Sequence, residues 1–575
     1  MPDSRDLIAS HAGEPGNVST RPDAETGGGA ARALCLVMAC ALAGILIVEV
    51  LLCLTPPVSR DALIHHLAIP KLWLQNGFRE LPWVVFSYYP MNIDLLYLLS
   101  LSFSNDILPK FIHMAFGLGT AILLYIYLRR QLGRIWSLLG ALIFLSTPII
   151  IRLSTTAYID LGMLFFITGS MLSFLHWRDT DYRQSRWLVL SALCMGLAAG
   201  SKYNAIIAWA YLNLAVIFHH SRDTNRPRES LKYGGLFFAA ALIVVSPWLV
   251  KNILLTGNPV FPLFDGLFDY FRSDPQTFKH AAAAPRGTFA HNLFQEREWA
   301  YGEKLWQVML LPIRIFFEGK DHVPQYFDGV LNPLLLIMLP FACLGRNLKR
   351  DRAFLLSFSV FYFFVAAFTA GLRVRYLIPI IPCLAILAVG GIKNVSECLK
   401  GRSQVLFRAG FGAVLAVTGF CLVLNGTYMI SYFDNIRPVP YILGEESRDE
   451  FISRHVGSYP AMRYVNETLP QDAVVLLMFV GGRGYYMERP YIHHVFSEMG
   501  IIRHMVEVSE SSEALKRYIE SLGCTHVLMR EELFERFLYD NYDKREIRIF
   551  KESMAPLWRV VYRMNGYAVY GLNRT

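Results

Sequence analysis

Between residues 34 and 430 the chain is dominated by about eleven apolar runs. They lie near 34–54, 109–128, 135–151, 159–176, 187–200, 203–219, 234–250, 329–345, 353–370, 376–392 and 408–430. A helix of about 20 apolar residues is as long as a bilayer's hydrocarbon core is thick. The pattern therefore predicts a polytopic α-helical membrane protein of about 11 transmembrane helices. Composition agrees: 54% of residues are hydrophobic and 18% charged, against about 25% charged in soluble domains, and mean hydropathy is +0.34. The first run is longer than a signal-peptide core and is followed by Pro56 and Pro57 rather than a small-residue cleavage site, so it reads as an uncleaved span.

The net charge of +9 is not a nucleic-acid footprint, because Lys and Arg gather in short loops between runs. Arg129, Arg130 and Arg134 follow the second run, Arg178, Arg183 and Arg186 the fourth, and Arg222, Arg226, Arg228 and Lys232 the sixth. Arg346, Lys349, Arg350 and Arg352 follow the eighth, and Lys393, Lys400, Arg402 and Arg408 the tenth. With eleven spans all five loops fall on one side, which the positive-inside bias makes cytoplasmic. The N-terminus is then cytoplasmic. Residues 1–31, rich in Gly, Pro, Asp and Arg, read as a disordered tail. Residues 32–430 form the transmembrane domain, with outer loops at 55–108 and 251–328. Residues 431–575 form a small outer α/β domain with short strand-like runs at Ala473–Val480 and Thr525–Met529. Helix-like stretches lie around 447–468 and 511–522, and the domain closes with a hairpin of WRVVYRM and YAVYGL. The nine cysteines are scattered, with no CxxC and no pairing suggestive of a disulfide or zinc site.

Chemistry at a membrane needs converging polar groups, and these lie at the outer ends of the spans. The stretch SRDALIHHLAIPKLWLQNG, Ser59–Gly77, follows the first span. On a helix its Asp61, His65 and His66 share roughly one face, with Lys71 about three turns below. Tyr158 and Asp160 open the fourth span, Lys202, Tyr203 and Asn204 fill the turn after the fifth, and Arg373, Arg375 and Tyr376 open the tenth. Each has a plainer reading. Asp160 suits a helix start by its dipole, Lys202 can snorkel to headgroups, Arg373 and Arg375 can meet lipid phosphate, and His65 and His66 can be packing residues. Outer cations nevertheless run against the orientation bias, and a bound anion accounts for them: Arg grips phosphate by a fork, Lys as a point charge. A pocket holding phosphate beside a carboxylate suits group transfer from a lipid-phosphate carrier to a hydroxyl.

These residues resemble the polytopic GT-C glycosyltransferases of the protein O-mannosyltransferase and aminoarabinose-transferase type, nearest the bacterial RgtA/B/C/D-like group. The resemblance rests on SRDALIHHLAIPKLWLQNG, AYIDLG, GSKYN, KNILLTGNPVFPL and RVRYLIPIIP in that order, covering about residues 33–395. AMRYVNETLP and GGRGYYMERPY look like the outer domain appended to some members. The resemblance implies a polyprenyl-phosphate sugar donor used on the periplasmic side of a bacterial inner membrane, normally with inversion, and an envelope lipid, polysaccharide or protein as acceptor. It implies catalytic roles for Asp61 and Asp160, and donor-phosphate contacts from Lys202 and Arg375, with Tyr376 and Lys71 beside them. His65, His66, Tyr158, Tyr203 and Asn204 are expected in support. Many members carry Glu after the first Asp, where this chain has Ala62, so no metal site and no cofactor are expected. An O-antigen ligase or polymerase is the nearest alternative, against which the early outer Asp speaks. A transporter or flippase would place its charges at mid-membrane and repeat its broken helices in two halves, and no such repeat is visible.

Overall fold

The computed structural model describes residues 28–81, 83–268, 293–369, 372–400, 403–493 and 498–572. Residues 1–27 of the expected tail lie outside these, and Gly29 already belongs to the first helix. The first ten α-helices are α1 (Gly29–Cys53), α2 (Ala68–Asn76), α3 (Asn92–Ser102), α4 (Leu108–Leu132), α5 (Arg134–Leu145), α6 (Pro148–Ser154), α7 (Asp160–Asp179), α8 (Ser185–Ala199), α9 (Ala205–Thr224) and α10 (Pro227–Thr256). After several short helices come Arg352–Thr369, Ile381–Lys400 and Gln404–Ile436.

All eleven apolar runs fall on helical structure. Among the described residues six helices are long and apolar enough to cross a bilayer, or seven if α5 and α6, bent by 69°, count as one span. The run at 329–345 breaks into Leu334–Ile337 and Leu339–Ala342, since Pro333 and Pro340 lack the N–H a continuous helix needs. Helix α8 is apolar but short, and α7 packs along α8 and α4. Close approach is set by small residues: a Cβ at Gly196 of α8 would meet the carbonyl of Ala241 in α10 at 2.6 Å.

The basic loops meet at one end of the bundle. There Arg178 pairs with Asp351, Tyr182 donates to Asp223 at 2.6 Å and Lys393 donates to the carbonyl of Leu132 at 3.2 Å. The C-terminal α/β domain covers the other end. Its strands are β1 (Val475–Met478), β2 (Tyr491–Ile492), β3 (His526–Arg530), β4 (Trp558–Met564) and β5 (Tyr567–Leu572), in the order β2-β1-β3-β5-β4. The β2–β1–β3 part is parallel and the β3–β5–β4 part antiparallel. Alternate residues of β1 face opposite layers, as the pleat requires. Leu476 and Met478 pack with Ile502, Met505 and Phe550, whereas Val475 and Leu477 pack with Met462 and Val465.

The domain is clamped by its Gly481–Tyr491 loop. Lys71 of α2 donates to the carbonyls of Tyr485 (2.9 Å) and Met487 (3.0 Å) and to Glu488 Oε1 (2.7 Å). The Tyr485 N–H donates to the carbonyl of Leu63 at 3.1 Å, and the Tyr486 hydroxyl to that of Pro57 at 2.6 Å. Arg448 and the Tyr485 hydroxyl both reach Asp106. Lys71 is therefore a docking residue in this structure and not a neighbour of the carboxylates, a correction to its expected place. Each charge-assisted bond of this kind contributes on the order of 2 kcal/mol. Lys71→Met is expected to speed amide hydrogen exchange across residues 481–491 while the bundle helices exchange as before. Unchanged exchange in that loop would show that Lys71 does not hold it.

Candidate functional site

Asp61 immediately precedes a π-helical turn, Ala62–His66, closed by the Leu67 N–H on the carbonyl of Ala62 at 2.9 Å. Such i→i+5 turns break the helical phase and gather at functional sites. The expected single face of Asp61, His65 and His66 consequently divides among three partners. Asp61 pairs with Arg375, His66 Nδ1 lies 2.8 Å from Asp94 Oδ1, and His65 stacks on Phe86 with ring centres 4.2 Å apart.

Arg375 arrives on the 3-10 turn Val374–Tyr376, ahead of the Ile381–Lys400 helix. Its Nη2 donates to the Tyr376 hydroxyl at 3.3 Å, and its guanidinium lies 5.1 Å from the Tyr376 ring centre and 5.8 Å from that of Tyr158. The Tyr158 hydroxyl accepts the Asp61 N–H at 3.3 Å, and its carbonyl accepts from Tyr97. Beside this pair, Lys202 Nζ donates to Asp160 Oδ1 at 2.7 Å and lies 5.5 Å from the Tyr376 ring centre. Tyr376 thus stands between two ion pairs brought from four distant stretches of chain. The side chain of Asp160 is 1% exposed, behind Lys202 at 17%, whereas Asp61 is 19% exposed. Of the two predicted carboxylates, Asp61 is the one open to solvent, and Asp160 is buried against Lys202.

Tyr203 and Asn204 face elsewhere. The Tyr203 hydroxyl donates to the carbonyl of Phe261 at 3.3 Å and accepts from Asn252 at 3.1 Å, tying the turn to α10, while the carbonyl of Asn204 accepts from Tyr362 at 3.3 Å. The sequence reading missed three features. Asp94, a lone carboxylate in an apolar helix, is buried as the partner of His66. His113 Nδ1 donates to the carbonyls of Leu153 and Thr156 while Nε2 accepts the Leu161 N–H at 2.8 Å, fixing the α6–α7 corner. Arg152 pairs with Asp321 (2.6 Å) and Asp328 (3.3 Å), holding a loop whose Phe327 carbonyl accepts the Val374 N–H at 2.8 Å, one residue before Arg375. Among the described residues no group of three or more His, Cys, Asp and Glu is arranged to hold a metal ion.

The charges are set by burial against pairing. Burial alone would raise the Asp61 carboxyl, but the Arg375 guanidinium, helped by His65, holds it well below the usual carboxylate range. Burial raises Asp94 to about 7 and lowers His66 to about 3, disfavouring the charged form of each. Burial would likewise raise Tyr376, yet Arg375 and Lys202 bring its hydroxyl below the ordinary phenol value. Because the folded value of Asp61 is depressed, its pairing stabilises the fold fully above about pH 4, the ordinary carboxylate value. That stabilisation is lost only as pH falls through the lower folded value. In Arg375→Met the largest charge opposing burial is gone and only the two histidines still oppose it, so Asp61 should titrate well above its parental value. The protonated carboxyl stretch in infrared spectra taken against pH reads this directly, and an unshifted titration would mean that Arg375 does not govern Asp61.

Residues 84–256 match a family model described as dolichyl-phosphate-mannose-protein mannosyltransferase. No curated protein matches the chain. Among solved structures the chain is similar to ArnT from Cupriavidus metallidurans bound to undecaprenyl phosphate. That likeness has 13% identity, covers 93% of this chain and 98% of that one, and gives a TM-score of 0.54. The apo state of the same protein matches at 13% identity over 94% of this chain and 98% of that one, also with a TM-score of 0.54. The helical bundle and its C-terminal α/β domain thus have the GT-C fold seen in ArnT, and residues 84–256 within it are similar to the mannosyltransferase family model.

Proposed function

We propose that this chain is a membrane glycosyltransferase that moves a sugar from a polyprenyl-phosphate donor to an envelope acceptor, whether lipid, polysaccharide or protein. The reaction runs beneath the α/β domain, at the periplasmic face of a bacterial inner membrane, with the basic loops in the cytoplasm. The observation that carries this reading is the pairing of one carboxylate open to solvent, Asp61, with Arg375, next to the Lys202–Asp160 pair. The undecaprenyl phosphate bound to the ArnT structure supports the same class of donor.

The donor's phosphate takes Arg375 over from Asp61 and meets Lys202, which Asp160 keeps in place. Freed of its cation, the Asp61 carboxylate becomes a stronger base. The acceptor hydroxyl attacks the anomeric carbon, and the bond from that carbon to the phosphate oxygen breaks. The hydroxyl proton passes to Asp61, and the electron pair leaves with the phosphate, whose charge Arg375 and Lys202 neutralise. Direct attack inverts the anomeric centre. The base contributes roughly 10²–10⁴ in rate, and the fixed cations stabilise the departing charge without reorganising. The two cations make the reaction metal-independent in this reading.

Asp61→Asn keeps the shape and removes the base. In membranes supplied with lipid-linked sugars, transfer read by product mass should fall at least 10²-fold, while the protein still inserts and folds. The parent should keep its activity in EDTA. Near-parental transfer by Asp61→Asn would overturn the reading.

A further inference from the structure

The four charges at the centre of the site cancel: Asp61 with Arg375, Asp160 with Lys202. Two more guanidiniums stand at its mouth. Arg60 precedes Asp61 in the chain and is exposed. Arg483 comes from the α/β domain, in the same Gly481–Tyr491 loop that is fastened to Leu63 and Pro57 on either side of Asp61. Phe479, Gly481 and Gly482 all have positive φ (54°, 68° and 71°), which turns the chain sharply just before Arg483. The turn is packed from behind: a Cβ at Gly482 would meet the His493 ring at 2.1 Å. Arg483 Nε is buried and meets no acceptor, and among the described residues neither Arg483 nor Arg60 has an ion-pair partner. Burial and the Arg60 charge disfavour the charged form of Arg483, while Tyr567, Tyr158 and Asp61 favour it.

Two like charges that feel one another beside a neutral centre repel, and an anion bound there offsets the repulsion. A buried guanidinium nitrogen without an acceptor is likewise costly until something accepts from it. We infer that Arg483, with Arg60, binds a phosphate-like anionic group of a substrate, so that the α/β domain supplies part of the site rather than only covering it. The inference rests on the reading of Asp61 and Arg375 given above. The anion has two sources, the phosphate of the lipid donor or an anionic group on the acceptor. Both suit the planar fork of Arg483, which a Lys replaces only as a point charge.

The test uses the full-length chain in detergent and two probes: undecaprenyl phosphate alone, and inorganic phosphate with that lipid saturating. Arg483→Gln is expected to weaken one probe about tenfold, with Arg483→Lys intermediate and Arg60→Gln weakening the same probe about threefold. Loss at the lipid assigns Arg483 to the donor, and loss at inorganic phosphate assigns it to the acceptor's anion. Parental affinity for both probes in Arg483→Gln overturns the inference. Equal loss in the Gln and Lys variants together with a lowered melting temperature also overturns it, since the residue then only holds the loop. If Arg483→Gln fails to fold, Arg60→Gln decides, because its side chain is exposed and unpaired: no loss at either probe overturns the inference. Arg375→Met run alongside separates the two readings. Undiminished lipid binding there sinks the role given to Arg375 without altering the Arg483 result.

Discussion

The ion pair between Asp61 and Arg375 joins residues 314 positions apart, and the geometry of the site follows from it. Neither group would be stable so far from water alone, and removing one partner of such a pair costs about 3–5 kcal/mol because the other charge is left uncompensated. The pair is also not sealed, with 19% of the Asp61 side chain and 12% of that of Arg375 exposed. It is therefore a neutralised charge that is still open to solvent. Tyr158 and Tyr376 border the guanidinium with their rings, and the Arg152 loop fixes the backbone one residue away.

Much of this was legible from where charges sit relative to apolar runs. Asp61, Asp160, Lys202 and Arg375 announce themselves because a charge beside a membrane span needs a partner, and the structure pairs all four. The side-by-side basic loops were legible for the same reason. The partners themselves were less visible. Asp94 went unread, since nothing local reveals that His66 lies against it. Lys71 was misplaced because helical spacing describes one stretch of chain, whereas its acceptors at Tyr485 and Met487 come from more than 400 residues away. The run at 329–345 passed as one span because averaged hydropathy passes over Pro333 and Pro340.

The α/β domain and the bundle are joined through one loop. The loop that carries Arg483 also receives Lys71, hydrogen-bonds Leu63 and covers the residues flanking Asp61. The sheet behind it, with β1 buried on both faces, gives that loop a rigid mount. In the sequence the loop was recognisable as a Gly-rich, aromatic stretch, but its position over Asp61 depends on the fold.

The π-turn at Ala62–His66 makes the first loop a piece of fixed length. It holds one residue more than a regular helix would between Asp61 and the docking surface of α2. Losing that residue would restore ordinary winding and swing Asp61 by about 100° about the local axis, away from Arg375. Between Cys53 and Ala68, then, the chain tolerates changes of side chain far better than changes of count, and lineages of this protein should keep that spacing even where the letters drift.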